Sequence, residues 1–295
     1  MVRVFVNHYL ESQEVKNSIP IDYDRMIQID DPNVIRYQKI VISNDDIRLI
    51  RPYIVGDSLL SVICAKGPFP KKTWLRIADL IATSIESFHS NGIACCSLNP
   101  NNIIISIEGK IYLVDMGLRV IFIDSHKTNA EDCLIRGPEY ISPPSDPTFA
   151  LDIWNFGLIL HLMLLGELPW SPRNFVRLLT EMNKDPKLFN GSIPQDIQDL
   201  LSKMLHSKPE MRPTIQEVRR IINIIKENDS SSPVPESIPI RRVNKVFFPT
   251  TDFRKTKVCW RIHTSQSFGS KLELTKCSRQ SKSLDFTEST ARKVI

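Results

Sequence analysis

The chain has 295 residues, of which 42% are hydrophobic and 24% are charged, the balance of a globular protein with a substantial core. This composition excludes a coiled coil, a collagen-like repeat and a wholly disordered chain. The net charge of +5 is unevenly distributed, because residues 230–295 carry 13 Lys and Arg against five Asp and Glu. The rest of the chain is therefore mildly acidic, and nucleic-acid binding by the whole protein is not indicated.

Six scattered cysteines, without a Cys-x-x-Cys pair, argue against a disulfide framework and against a zinc site. The first residues lack the apolar stretch of a signal peptide, so we expect an intracellular protein, cytoplasmic or nuclear. The apolar segment Phe149–Trp170 contains polar residues that would be costly in lipid, including Asp152 and Glu167. It therefore predicts a buried core helix and no membrane partner.

Short apolar runs in the first part of the chain predict strands, and longer i, i+3, i+4 patterns in the remainder predict helices. The predicted strands are Val2–Val6, Val34–Ile42, Ile47–Tyr53, Ile103–Ser106 and Lys110–Val114, the last two joined in a hairpin about Glu108-Gly109. The predicted helices are Pro20–Ile29, Trp74–His89, Phe149–Trp170, Pro172–Asn183, Pro194–His206 and Thr214–Glu227. Residues 229–295 are basic, rich in Ser and Thr and poor in periodic apolar residues, and so predict a disordered tail.

Five short motifs follow one another in the chain. They are Asn91–Ile105 (NGIACCSLNPNNIII), Ile111–Gly117 (IYLVDMG), Gly137–Pro144 (GPEYISPP), Asp152–Gly157 (DIWNFG) and Met211–Pro213 (MRP). In order and spacing, this set resembles the C-terminal lobe of a eukaryotic protein kinase, closest to the Ser/Thr kinases. The resemblance covers roughly residues 2–227.

That resemblance implies an α+β, bilobal protein-kinase-like fold. It divides the chain into a truncated β-rich N-lobe over residues 1–54, a mainly α-helical C-lobe over residues 55–228, and the disordered tail. A chain that opens at the third strand of the family's small lobe also leaves open a truncated form of low stability, because its sheet would expose an unprotected edge.

The catalytic loop departs from the family. Cys95, Cys96, Ser97 and Asn99 stand where the resemblance implies histidine, arginine, the catalytic aspartate and a lysine. A serine hydroxyl is neither charged nor basic near neutral pH, so Ser97 does not replace the aspartate that accepts the substrate proton. We therefore expect no catalytic residue in this degenerate loop.

The phosphate-binding end also departs from the family. No glycine precedes Gly56, so residues 1–55 contain no Gly-rich loop, and Phe5 stands where the family has the lysine that holds the phosphates. The helical carboxylate that pairs with this lysine in the family falls near Asp22 or Asp24.

Other family positions are retained. If nucleotide binds, the resemblance implies contacts to the hinge backbone at Ile54 and to Gly117. Asn102 and Asp115 match the two metal-binding positions, where they either hold a vestigial Mg²⁺ or cap local backbone. We expect no cofactor, with ATP and Mg²⁺ held at most at low affinity.

Arg51 falls at the gatekeeper position behind the adenine pocket. A buried guanidinium needs a partner, since an unpaired buried charge costs several kcal/mol. Arg51 either points outward or pairs with Asp22, Asp24 or Asp115, which would fill the pocket with protein in place of nucleotide.

Positions that maintain the fold survive better. Asp152 resembles the residue that anchors the catalytic loop, and Trp154, Gly157 and Arg212 are the other structural positions. Pro144 replaces the glutamate of the A-P-E motif, so Arg212 is expected either to find another acceptor or to lie in a looser corner. The four positions of the family's stacked apolar spine hold Met26, Tyr37, Cys95 and Met116.

The residues that maintain the fold are kept, whereas the residues that carry the chemistry are changed. This pattern favours a pseudokinase, which would act as a binding, scaffolding or regulatory module. Its partners would be other proteins, such as an active kinase or a signalling complex. The alternative is a weak or atypical ATP-dependent Ser/Thr kinase that uses Asp115, Asn102 and a substituted base. Whether the chain is an enzyme stays open at this stage.

Overall fold

The structure, a computed structural model, describes residues 1–6, 13–43, 46–121, 137–140, 146–170, 180, 182 and 193–229, and for residues 3–6, 13–16 and 140 the backbone alone. The predicted tail and nearly all of the predicted helix at Pro172–Asn183 lie outside the described residues.

The first lobe is a three-stranded antiparallel sheet with one helix. The strands β1, β2 and β3 lie in the order β1-β3-β2, with Phe5 opposite Ile47 and Ile40 opposite Leu49. Ile47 and Leu49 are buried while Arg48 between them is exposed, the alternation of a sheet with one covered face. The elements are β1 (Val2–Val6), α1 (Gln13–Met26), β2 (Lys39–Ile42) and β3 (Asp46–Ile50).

The second lobe is mainly helical, with a small sheet at the side of the first lobe. Its sheet has the order β4-β5-β6, and the chain reverses between β5 and β6 at Gly109, whose φ of 77° suits glycine. The elements are β4 (Gly56–Ser58), α2 (Leu59–Lys66), α3 (Lys71–Ser90), β5 (Ile103–Ser106), β6 (Ile111–Leu113), α4 (Phe149–Leu165), α5 (Gln195–Met204) and α6 (Ile215–Asn228), with 3₁₀ turns at Pro138–Tyr140 and Pro209–Met211.

Helix α4 lies at the centre of the second lobe. Thr148 caps its start by accepting a hydrogen bond from the Leu151 N–H, and Gly166 ends it in the left-handed conformation with φ 76°. The helix therefore stops before the predicted end at Trp170. Trp74 of α3 donates from its ring nitrogen to the Leu160 carbonyl of α4 at 2.9 Å, which fixes the two helices against each other.

Helix α4 is apolar because it is packed on nearly all sides. Asp152 and His161 are both buried within it, each with a partner, as a protein interior requires. Within the described part of the chain, no helix has the length and apolar character needed to cross a membrane.

Candidate active site

The loop between α3 and β5 carries the degenerate catalytic motif, and Asp152 of α4 holds its start. The Asp152 Oδ2 accepts hydrogen bonds from the Cys95 N–H at 2.8 Å and pairs with His89 Nε2 at 2.8 Å. His89 also stacks on Phe149, with ring centroids 4.2 Å apart. Ligand atoms of His89, Cys95 and Asp152 lie within 4.8 Å of one another, but the carboxylate is already engaged in holding the loop.

The middle of the loop is occupied by its own hydrogen bonds. The Ser97 Oγ donates to the backbone carbonyl of Asp115. The Asn99 side chain accepts from the N–H groups of Asn101 and Asn102, at 2.9 and 3.2 Å, and thereby caps the turn. The Asn102 amide donates to the Ser97 carbonyl at 3.0 Å. Asn99 and Asn102 therefore both contact the local backbone.

Cys95 and Cys96 are buried thiols. Burial, reinforced by the nearby Asp152 carboxylate, raises the pKa of both thiols well above the usual value of 9.0. Cys96 has a positive φ of 65°, which is uncommon for a residue with a Cβ. The backbone of the loop is thus in an unusual conformation at Cys96, although the side chain of this residue is small and neutral.

Asp115 lies just after β6 and faces the first lobe. Its φ of 58° places it in the left-handed region, which aspartate tolerates better than most residues. Both carboxylate oxygens are bound by Arg51: Nε donates to Oδ1 at 2.6 Å and Nη2 donates to Oδ2 at 3.1 Å. Arg51 Nη1 donates to the Pro52 carbonyl at 3.2 Å. Of the three carboxylates considered as partners for Arg51, the structure selects Asp115.

A second ion pair joins α1 to the segment after Gly117. The buried Asp22 Oδ2 accepts from the Arg119 N–H at 3.1 Å and from its Nε at 3.4 Å. Arg119 Nη1 lies 3.9 Å from the exposed Asp146. Asp24 is exposed. Of the two carboxylates predicted near the family's lysine-pairing position, Asp22 therefore binds an arginine of the second lobe.

Comparison with known proteins agrees with this two-lobed architecture. A family profile described as the protein kinase domain matches residues 5–221. The chain belongs to the protein kinase family. The fold of the chain also resembles that in the crystal structure of Rad53 1-466 in complex with AMP-PNP, with a TM-score of 0.62 and 19% identity over 75% of this chain and 57% of that chain. At that identity the likeness concerns the fold alone.

Curated kinases are related at low identity. SNF1-related protein kinase catalytic subunit alpha KIN12 of Arabidopsis thaliana is 28% identical over 219 residues, which cover 72% of this chain and 44% of that protein. CBL-interacting protein kinase 21 of Oryza sativa subsp. japonica is 27% identical over 194 residues, covering 64% of this chain and 37% of that protein. The chain therefore spans less than half the length of these kinases.

The residues present do not fit the family's Mg²⁺ and nucleotide. Mg²⁺ requires near-octahedral oxygen ligands at about 2.0–2.1 Å, and it would have to reach Asp115 oxygens that already accept from Arg51. The Asn102 amide is oriented by its bond to the loop backbone. Phe5 supplies no cation for a phosphate, and Ile54 is half-buried between Arg51 and β4.

The four residues predicted to form the family's apolar spine are buried. They are at most 3% exposed and belong to one continuous apolar cluster that extends through both lobes. Gly117, with φ 80°, lies so close to this column that a Cβ added there would stand 2.8 Å from the Met26 side chain. The backbone of Gly117 is therefore tied to the spine, and its N–H donates to the Cys95 carbonyl at 2.9 Å. The spine residues are Met26, Tyr37, Cys95 and Met116.

Arg212 binds a carboxylate although Pro144 replaces its usual glutamate partner. Pro144 itself lies outside the described residues. The Arg212 Nη1 and Nη2 donate to the two carboxylate oxygens of Glu139, at 2.6 and 2.8 Å. The guanidinium also lies 4.7 Å from the ring centroid of Trp154. Gly157 lets α5 approach α4, since an added Cβ would meet Leu205 at 3.0 Å. This corner is closely packed.

Three residues at the site were missed by the sequence analysis: His89, Arg119 and Glu139. Glu139 had a signal, because Pro138-Glu139 repeats the Pro-Glu pair of A-P-E five residues before Pro144. His89 lies in the last turn of α3, six residues before Cys95. There the helical period of apolar residues predicts only the exposed end of a helix and no contact with the catalytic loop. Arg119 had no signal, since its partner Asp22 lies 97 residues away.

Proposed function

We propose that this kinase-family chain does not transfer phosphate and serves as a protein-binding, scaffolding or regulatory module. The observation that carries the proposal is the hydrogen bond from Ser97 Oγ to the Asp115 carbonyl. At the family's position for the proton acceptor, the chain has a neutral hydroxyl that already donates its proton to the backbone. That group does not take a proton from a substrate hydroxyl.

The retention of structural residues, compared with the loss of catalytic ones, supports the proposed role in binding. Asp152 and Arg212 keep dense, buried hydrogen-bond networks that hold the loop and the corner of the helical lobe. Buried charges of this kind are costly unless fully satisfied, so their networks maintain a defined fold. A stable fold without its reaction chemistry still presents a surface for binding.

The partners we propose are other proteins, such as an active kinase or a signalling complex, and neither nucleic acid nor a membrane. The mild acidity of residues 1–229 agrees with that choice.

Phosphate transfer is tested with the full chain, radiolabelled ATP and either Mg²⁺ or Mn²⁺, using casein, myelin basic protein and the chain itself as acceptors. We expect wild type to incorporate no more phosphate than Asp115→Asn. Incorporation by wild type that disappears in Asp115→Asn would establish the alternative, a weak Ser/Thr kinase.

Partner binding is tested by isolating complexes of the tagged full chain from native cells and comparing two variants. Ser97→Ala removes the hydroxyl, whereas Arg212→Met disturbs the fold. Recovery of the same partners should survive Ser97→Ala and fall with Arg212→Met, in step with the unfolding temperature of each variant. Loss of partners in a well-folded Ser97→Ala protein would contradict a role that depends on the fold alone.

A further inference from the structure

Arg51 is placed at the boundary between the two lobes. It follows β3 directly, at the start of the segment 51–55 that leads to β4, and is 6% exposed. Its backbone therefore belongs to the edge of the first lobe, while its guanidinium reaches Asp115 of the second. The contact joins residues 64 positions apart.

The guanidinium of Arg51 binds the carboxylate of Asp115 in a bidentate geometry. Two guanidinium nitrogens each bind one carboxylate oxygen of Asp115, and a third nitrogen binds the Pro52 carbonyl next to Arg51 itself. A planar guanidinium matches a carboxylate in this way and a lysine ammonium does not. The bond to Pro52 fixes the guanidinium in the orientation that faces Asp115.

The charges leave little room for a second cation. The side chains of Arg51 and Asp115 are 7% and 11% exposed, so each charge depends on the other for compensation. A divalent ion that bound Asp115 would either displace the guanidinium or lie beside it, and in both cases it would bring a second positive charge next to the buried charge of Arg51. The Pro52 carbonyl, in the segment that links the lobes, is engaged by the same side chain.

We propose that Arg51 is a built-in cation that takes the place of a divalent metal ion at Asp115, so that the cleft excludes a metal–nucleotide complex and the lobes are joined without a ligand. This deepens the proposed function and rests on it, since it concerns the same cleft. Under this proposal, Arg51 is the residue that keeps the family's Mg²⁺ and nucleotide out of the cleft.

The experiment is thermal unfolding of the full chain in EDTA, in millimolar Mg²⁺, and in millimolar Mg²⁺ with ADP. Wild type should unfold at the same temperature in all three. Arg51→Met should unfold several degrees lower in EDTA, because Asp115 loses its counter-charge, and should recover several degrees in Mg²⁺. The double variant Arg51→Met/Asp115→Asn, with neither charge, should show no response to Mg²⁺. Arg48→Met, which changes an exposed arginine of β3, the strand that Arg51 follows, is the matched control and should, like wild type, show no response to Mg²⁺.

Two results would overturn the proposal: stabilisation of wild type by Mg²⁺ or Mg²⁺–ADP, or no Mg²⁺ response in folded Arg51→Met. If Arg51→Met does not fold, Mn²⁺ titration of wild type followed by electron paramagnetic resonance decides. Bound Mn²⁺ that is lost in Asp115→Asn overturns the proposal, and its absence supports it. Metal binding without phosphate transfer would refute this inference alone, whereas phosphate transfer would refute the proposed function.

Discussion

At the scale of single residues, the fold depends on a few buried charges whose hydrogen bonds are satisfied. Arg212 has no exposed side-chain surface and binds Glu139 through both terminal nitrogens, while its Nε donates to the His206 carbonyl at 2.9 Å. Trp154 covers one face of the guanidinium and in turn stacks on Trp170, with ring centroids 5.3 Å apart. One arginine thus connects the turn at 138–140, helix α4 and the segment before α6.

Removing that arginine should therefore be costly. Arg212→Met leaves Glu139 without its partner and several backbone carbonyls without a donor, and we expect it to lower the free energy of unfolding by about 3 kcal/mol. Arg48→Met breaks the Arg48–Asp46 pair, whose arginine is 54% exposed, and should cost less than about 1 kcal/mol. Urea unfolding of both variants measures the difference. Equal losses of unfolding free energy in the two variants would mean that the buried Arg212–Glu139 pair stabilises the fold no more than the exposed Arg48–Asp46 pair.

The partners of such residues were only partly predictable. The sequence left two outcomes for Arg51, an outward orientation or a pairing with one of three aspartates that a buried charge would need, and it favoured none of the three. The choice of Asp115 depends on how β3 and β6 meet in space. Similarly, another acceptor was one of the two outcomes expected for Arg212, the other being a looser corner, but Glu139 was not named, since a sequence motif fixes an order along the chain and not a distance.

At the scale of elements, the long helix with a clear apolar period was predicted, whereas two short elements, α2 and β2, were missed or given the wrong bounds. The expected helix at Trp74–His89 is observed as Lys71–Ser90. Of the expected strand Val34–Ile42 only Lys39–Ile42 forms one, and Val34 makes a single bridge to Leu113. Val34 and Tyr37 are buried in the core cluster although neither belongs to a strand. Helix α2 was missed because four of its eight residues are buried and no polar face marks a period.

Helix α6 shows how local chemistry fixes an element. Thr214 accepts from the Glu217 N–H, and the Glu217 carboxylate accepts from the Thr214 N–H at 2.7 Å, a reciprocal cap. The backbone and hydroxyl bonds from Thr214 hold the pKa of Glu217 below its usual value. The contribution of this carboxylate is therefore present at neutral pH and is lost as the pH falls, when protonation removes its charge.

The cap gives a prediction with a matched control. Thr214→Ala removes the acceptor for the first turn of α6 and should lower the free energy of unfolding by about 1 kcal/mol. Thr83→Ala, in the middle of α3, removes only a bond to the carbonyl four residues earlier, which a helix does not need, and should change stability by less than about 0.5 kcal/mol. Thermal or urea unfolding of both variants distinguishes the two positions. A larger loss for Thr83→Ala would contradict the role of the cap.

At the scale of the whole molecule, the described residues of the two lobes share one apolar core, and the ion pairs Arg51–Asp115 and Asp22–Arg119 join them. The cluster that includes Leu49 of the first lobe continues through the spine to Trp74 of the second. The Arg51–Asp115 pair joins the lobes beside it, and the Asp22–Arg119 pair ties α1 to the segment that follows Gly117.

The same arrangement predicts that restoring one catalytic residue restores no catalysis. Ser97→Asp supplies the carboxylate of the family's loop, but Arg51 still engages Asp115, and Phe5 still stands at the lysine position. In addition, the new carboxylate would face the Asp115 carbonyl that Ser97 now binds as a donor, so two acceptors would meet where a hydrogen bond was. We expect Ser97→Asp to transfer no more phosphate from radiolabelled ATP than wild type, and to unfold at a lower temperature than Ser97→Ala, which loses the bond without adding a charge. Phosphate transfer that appears in Ser97→Asp would show that the metal and nucleotide positions still work, and that the missing base was the one obstacle to catalysis.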